Sequence, residues 1–146
     1  MYTIRGIVLE RKFFREKDIL YRIFSREYGK ISVWVKMSST RPLLDLGTIA
    51  RFTVQVKPNK NLCREYSIER SVDPGLLDYA RLRNFLDVVA RLSANLPERL
   101  EYPSLFDDYV ASFDRLLDPE RFRFCTGVFL LRLGNLLGIL PAACHG

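Results

Sequence analysis

Between Ile31 and Lys36 the side chains alternate: Ile31, Val33 and Val35 share one face, and Ser32, Trp34 and Lys36 share the other. A tryptophan beside a lysine, on the side of a strand away from its aliphatic row, suits a single-stranded nucleic acid. Bases stack on aromatic faces, and phosphates seek cations. The first half of the chain supplies further cations, most of them expected in turns or at strand ends, on the rim of a barrel. The candidate binding set is Arg11, Lys12, Arg15, Lys17, Lys30, Trp34, Lys36, Arg41, Lys57 and Lys60, with Arg26 a further cation and Phe13 and Phe14 flanking the first charged turn. The competing interpretation is structural, with Trp34 packed under the helical half and the lysines merely solvated. The pattern offers attraction to the phosphate backbone without base readout.

Other chemistries find little support. The sole histidine, His145, lies one residue from the end of the sequence, where a Ser-His-Asp or Cys-His site would need an ordered, enclosed terminus. Neither phosphate-binding glycine motif, G-x-x-x-x-G-K-[ST] or G-x-G-x-x-G, occurs. Asp107-Asp108 falls at an expected helix start, where acids favour the helix dipole. The cysteines, Cys63, Cys125 and Cys144, are odd in number and widely spaced, which is not a disulfide framework. Cys144-His145 offers two ligands, too few for a tetrahedral zinc centre. We expect no enzyme activity, no cofactor and no metal.

Charge sharpens the picture. The net charge is +6 and the isoelectric point is near 9.4. Residues 1–72 hold 15 Lys/Arg against 7 Asp/Glu, whereas residues 73–146 hold 8 against 10. That split points to a polyanion meeting the first half. Hydrophobic residues make up 48% of the chain, enough for a real core. The N-terminal sequence lacks the features of a signal peptide. The longest apolar stretch, near Cys125–Leu140, is interrupted by Arg132 and Asn135 and falls short of the ~20 residues that span a bilayer. A cytoplasmic, nucleoid-associated protein without membrane contact is the expectation.

The elements that must position these residues follow from periodicity. Strands are expected over Tyr2–Phe14, Ile19–Ser25, Ile31–Lys36, Arg51–Lys57 and about Arg64–Ser71, with a turn at Arg26–Lys30 in which Gly29 takes a positive φ. Five short strands without an internal helix suggest a small closed barrel; an OB-fold fits, and an SH3-like barrel is the rival. After Asp73-Pro74-Gly75 the period becomes helical. Leu82, Phe85, Leu86, Val89, Leu92 and Leu96 form one stripe, and Phe106, Tyr109, Val110, Phe113, Leu116 and Leu117 a second. Ser104 with Asp107 reads as a capping box, Asp118-Pro119 as the start of a third helix, and Gly138 as its C-terminal cap. The expected fold is therefore α+β: a five-stranded OB-fold nucleic-acid-binding domain over residues 1–72, then an all-α domain over 76–146. Phe106, Phe113 and Phe129 are expected in its core.

The ordered motifs G-I-V-L-E-R-K-F-F-R-E-K-D-I-L (Gly6–Leu20), I-F-S-R-E-Y-G-K-I (Ile23–Ile31), V-W-V-K (Val33–Lys36) and L-L-G-I-L-P near the end resemble the bacterial DNA repair protein family RecO. The resemblance implies an OB-fold followed by helices. It also implies a recombination mediator that binds single- and double-stranded DNA, anneals complementary strands and helps load a recombinase with RecR. It further implies contact with the acidic tail of the single-stranded DNA-binding protein through the helical part. By position, the family's basic strand-end and loop segment corresponds to Lys36, Ser38, Ser39 and Arg41. This loop is poorer in cations than is usual in the family, which implies either a lower affinity or reliance on Lys12, Arg15, Lys57 and Lys60. The family often continues into a cysteine-containing, sometimes zinc-binding segment, so ending at Cys144-His145-Gly146 reads as a short or truncated form. Two other functions stay open: an adaptor docking an acidic peptide tail, and an RNA-binding OB-fold protein.

Overall fold

The computed structural model describes residues 1–15 and 17–138. It divides into two compact units. One comprises Met1–Val72 with Pro97–Glu101; the other comprises Asp73–Leu96 and the residues from Tyr102 onward.

In the first unit, strands β1 (Tyr2–Phe14), β2 (Asp18–Ser25), β3 (Gly29–Lys36), β4 (Ile49–Lys57) and β5 (Lys60–Arg70) close into a barrel in the order β1-β2-β3-β5-β4. All pairings are antiparallel except β3 with β5, where Trp34 pairs with Leu62. This is the expected OB-like barrel. β-Branched and aromatic residues alternate along the strands, so one face of each fills the interior. Ile4, Val8, Ile19, Ile23, Val33 and Phe52 are among those buried there. Each such side chain contributes roughly 1.5–3 kcal/mol on full burial. A register shift between Val8 and Glu10 decides what the barrel displays. Before it, the even residues Ile4 and Val8 face the core; after it, Phe13 pairs with the inward Ile19, and Arg11 with the inward Tyr21. The extra residue therefore turns Glu10, Lys12 and Phe14 outward.

The connection from β3 to β4 contains no helix; it tucks Leu44 into the barrel, fully buried, with its N–H donating to the Tyr21 hydroxyl at 3.1 Å. Gly29 has φ +74°, as the turn requires. Pro97–Glu101 runs beside the start of β3: the Glu98 backbone forms an isolated parallel β-bridge with Lys30, and the Arg99 N–H donates to the Lys30 carbonyl at 3.0 Å.

The second unit holds helices α1 (Tyr79–Asn95), α2 (Pro103–Ser112) and α3 (Phe122–Leu137), with short 3-10 turns at Pro74–Leu76 and Arg115–Leu117. Phe106, Phe113 and Phe129 are all buried, and the Tyr109 ring meets those of Phe113 and Phe129 edge-on. Several local expectations need correcting. Val88, not Leu86, completes the buried face of α1, a helix that Asp78 caps by accepting from the Arg81 N–H at 2.8 Å. Ser104 forms no capping box, because α2 opens with Pro103 and has no side-chain cap. The second stripe is not one helix: α2 ends at Ser112, and Leu116 and Leu117 belong to the 3-10 turn. Asp118 accepts from the Glu120 and Arg121 N–H groups, but it caps a turn that precedes α3. Gly138, at φ +69°, is the expected cap of α3.

Candidate nucleic-acid interface

The register of the barrel builds the site. Lys12 pairs with Leu20, and Leu20 with Trp34, so these three form one row across the outer face of β1, β2 and β3. Phe14, Asp18 and Lys36 form the next row by the same pairing. The rings of Phe14 and Trp34 lie 5.1 Å apart and tilted by 58°. The β1–β2 turn brings Arg15 to this place, and the β4–β5 turn brings Asn59 and Lys60. The result is an open cleft of about 530 Å³, lined by Phe14, Trp34, Arg15, Lys36, Lys60 and Leu62 among others. Asp18 is the acidic residue on its wall among the described residues. Arg15, Lys36 and Lys60 are exposed, and Trp34 is half-buried. An aromatic pair among three cations can take a stacked base and its flanking phosphates.

The other candidates are distributed around this cleft or away from it. Lys12 is exposed in Trp34's own row. Lys17 is exposed, and its carbonyl accepts from the Met37 N–H at 2.7 Å. Lys57 faces Lys60 across the β4–β5 hairpin. Three sit apart from the cleft. Arg11 donates to the Leu44 carbonyl at 3.1 Å and meets Asp45. Arg41 lies over the Tyr66 ring and donates to the Arg64 carbonyl. Lys30 is partly buried; burial, with Arg22 nearby, lowers its pKa. Burial pushes the Cys63 thiol up to about 11, which suits a barrel-filling side chain and not a nucleophile. Among the described residues no group of three or more His, Cys, Asp or Glu side chains could hold a metal ion; Cys144 and His145 lie outside those residues.

Comparison with known proteins agrees with this architecture. Residues 1–70 match the family described as Recombination protein O N terminal. Over 94% of its length the chain is 32% identical to the DNA repair protein RecO of Chlorobaculum parvum (strain DSM 263 / NCIMB 8327). The chain belongs to the RecO family. It is also 24% identical, again over 94% of its length, to the DNA repair protein RecO of Prosthecochloris aestuarii (strain DSM 271 / SK 413). It covers 56% and 55% of those two proteins, little more than half of each. No helix among the described residues of this RecO-family chain is long and apolar enough to cross a membrane.

A second open cleft of about 630 Å³ adjoins the first and shares Trp34, Asn59 and Lys60 with it. Tyr2, Tyr28, Arg22 and Arg99 stand on its walls. Sequence reasoning does not single these residues out for binding. Tyr2 and Tyr28 are far apart in the chain, and Pro97–Glu101 reads as an ordinary helix connection. Only the barrel's closure and the return of that segment to β3 bring them together.

Proposed function

We propose that this chain is the nucleic-acid-binding part of a recombination mediator in DNA repair, and that the Trp34 cleft holds a single DNA strand. One observation carries the reading: Arg15, Lys36 and Lys60 converge from three separate segments on the Phe14–Trp34 pair. The cations neutralise phosphates, and the rings stack bases without regard to sequence. Such binding needs no catalytic group, so we also propose that the chain is not an enzyme. The names of the relatives, both DNA repair proteins, favour DNA over RNA as the natural strand. Binding of duplex DNA, annealing, recombinase loading with RecR, contact with the acidic tail of the single-stranded DNA-binding protein, and a cytoplasmic, nucleoid-associated location all belong to this proposal.

The test is fluorescence anisotropy of a labelled single strand over a range of salt. Lys36→Ala with Lys60→Ala should weaken binding and flatten the dependence of log affinity on log salt by about 0.7 for each phosphate no longer neutralised. Trp34→Ala should weaken it by about 1–3 kcal/mol by removing the stacking surface, with the salt slope unchanged. Affinity unmoved by all three substitutions would remove the cleft from the site. Tighter binding of RNA than of DNA of the same sequence would favour the RNA-binding alternative.

A further inference from the structure

We infer that the strand path does not end at Trp34 but continues past Lys60 into the second cleft, where Tyr2 and Tyr28 form a second stacking platform. This rests on the Trp34 cleft holding a single strand. The two clefts share Trp34, Asn59 and Lys60, so they adjoin, and a strand leaving one meets the other at these residues. Their make-up repeats. The first offers Phe14 and Trp34 with ring centres 5.1 Å apart; the second offers Tyr2 and Tyr28 at 5.4 Å, both substantially exposed. Exposed paired aromatics are poorly explained by packing, and base stacking gives them a use.

The backbone repeats as well. Among the described residues, Arg15 and Arg99 are the non-glycine residues with positive φ, at 54° and 57°. Each lines one of the clefts. Strained backbone of this kind persists where the surrounding structure imposes it, commonly at ligand-binding places.

In the second cleft an acid is paired with one of the cations. Its cations Arg22, Lys57, Lys60 and Arg99 share it with Glu98 and Glu101, and Glu98 pairs with Arg22. The Arg22 Nε is buried with no partner of its own. A phosphate that reaches Arg22 must replace Glu98 there. Short strands therefore occupy the Trp34 cleft first, and the second cleft fills only with longer ones.

Anisotropy with thymidine oligomers of about 4 and about 12 nucleotides, the range of site sizes on such barrels, tests this. The double variant Tyr2→Ala/Tyr28→Ala should bind the longer strand about tenfold more weakly and the shorter one within twofold of the parent chain. Tyr2→Phe/Tyr28→Phe keeps both rings and should restore binding of the longer strand. Glu98→Gln should strengthen binding of the longer strand at least twofold. Equal losses on both lengths for the alanine variant, or no loss on either, would overturn the inference. So would an unchanged Glu98→Gln. Trp34→Ala separates this inference from its premise. It should weaken both lengths, and a parent chain indifferent to Trp34→Ala on the short strand would overturn the Trp34 reading itself.

Discussion

Glu69 shows how single residues hold the barrel's rim. Its carboxylate accepts from Arg5 at 2.7 Å and from Arg51 at 2.6 Å, joining β1, β4 and β5. The hydrogen bond from Arg5, and then that from Arg51, hold the carboxyl below its ordinary value of 4.5. Because the folded group titrates lower than the unfolded one, its contribution is complete above pH 4.5 and is lost as pH falls through the lowered value. Glu69→Gln should therefore cost up to about 1 kcal/mol at neutral pH, the scale of partly exposed ion pairs. The difference from the parent chain should vanish in strong acid. Urea titrations at neutral pH and at successively lower pH would check both statements, and a difference that never shrinks on acidification would deny the ion pair its role. The identities of the cleft residues are legible at this scale, since Trp34 and Lys36 stand opposite an aliphatic row. Their company is not. Arg41, which reads like Lys36 in a polar loop, is held by Tyr66 and Arg64 because the loop folds back toward β5.

At the scale of elements, two glycines take opposite parts. Gly29 opens β3 at φ +74°, and a Cβ there would stand 2.2 Å from the Leu100 carbonyl oxygen. The left-handed backbone alone costs an alanine roughly 1–2 kcal/mol, and the clash with backbone adds to it. Gly29→Ala should thus lower unfolding free energy by at least that amount, and it should also push Pro97–Glu101 off β3. Gly127 lies inside α3 with open space where its Cβ would go. Gly127→Ala should stabilise the chain by about 0.5–1 kcal/mol through helix propensity. Thermal melts of the two variants should shift in opposite directions, and a shared direction would refute the account of one of them. The positive φ of Gly29 can be read from its place in a charged turn. Its contact with Leu100 cannot, because the partner is distant in sequence. The strands are legible because alternation is a local signal, whereas the register shift at Val8 that exposes Lys12 and Phe14 depends on how β1 meets β2. The helix starts mislead for a related reason: Ser104 has the right residue type for a cap, but Pro103 already begins the helix.

Across the whole molecule, the uneven charge sets how the chain meets a polyanion. On the proposed function, the excess of cations in residues 1–72 should attract a strand before any contact forms, and the near-neutral remainder should not oppose it. A surface that neutralises phosphates on two strands also lowers their mutual repulsion and raises their local concentration. Annealing of complementary strands should therefore be faster with the chain than without it, most of all at low salt, where screening is weakest. The amount of chain matters as well. Once the chain is in large excess each strand is coated separately, so the rate should rise, pass through a maximum and fall. Lys36→Ala with Lys60→Ala should lower the maximum and move it to higher protein concentration. A fluorescence-quenching annealing assay would follow this directly. A rate insensitive to the chain at every salt concentration would separate strand binding from annealing and remove annealing from the proposed function.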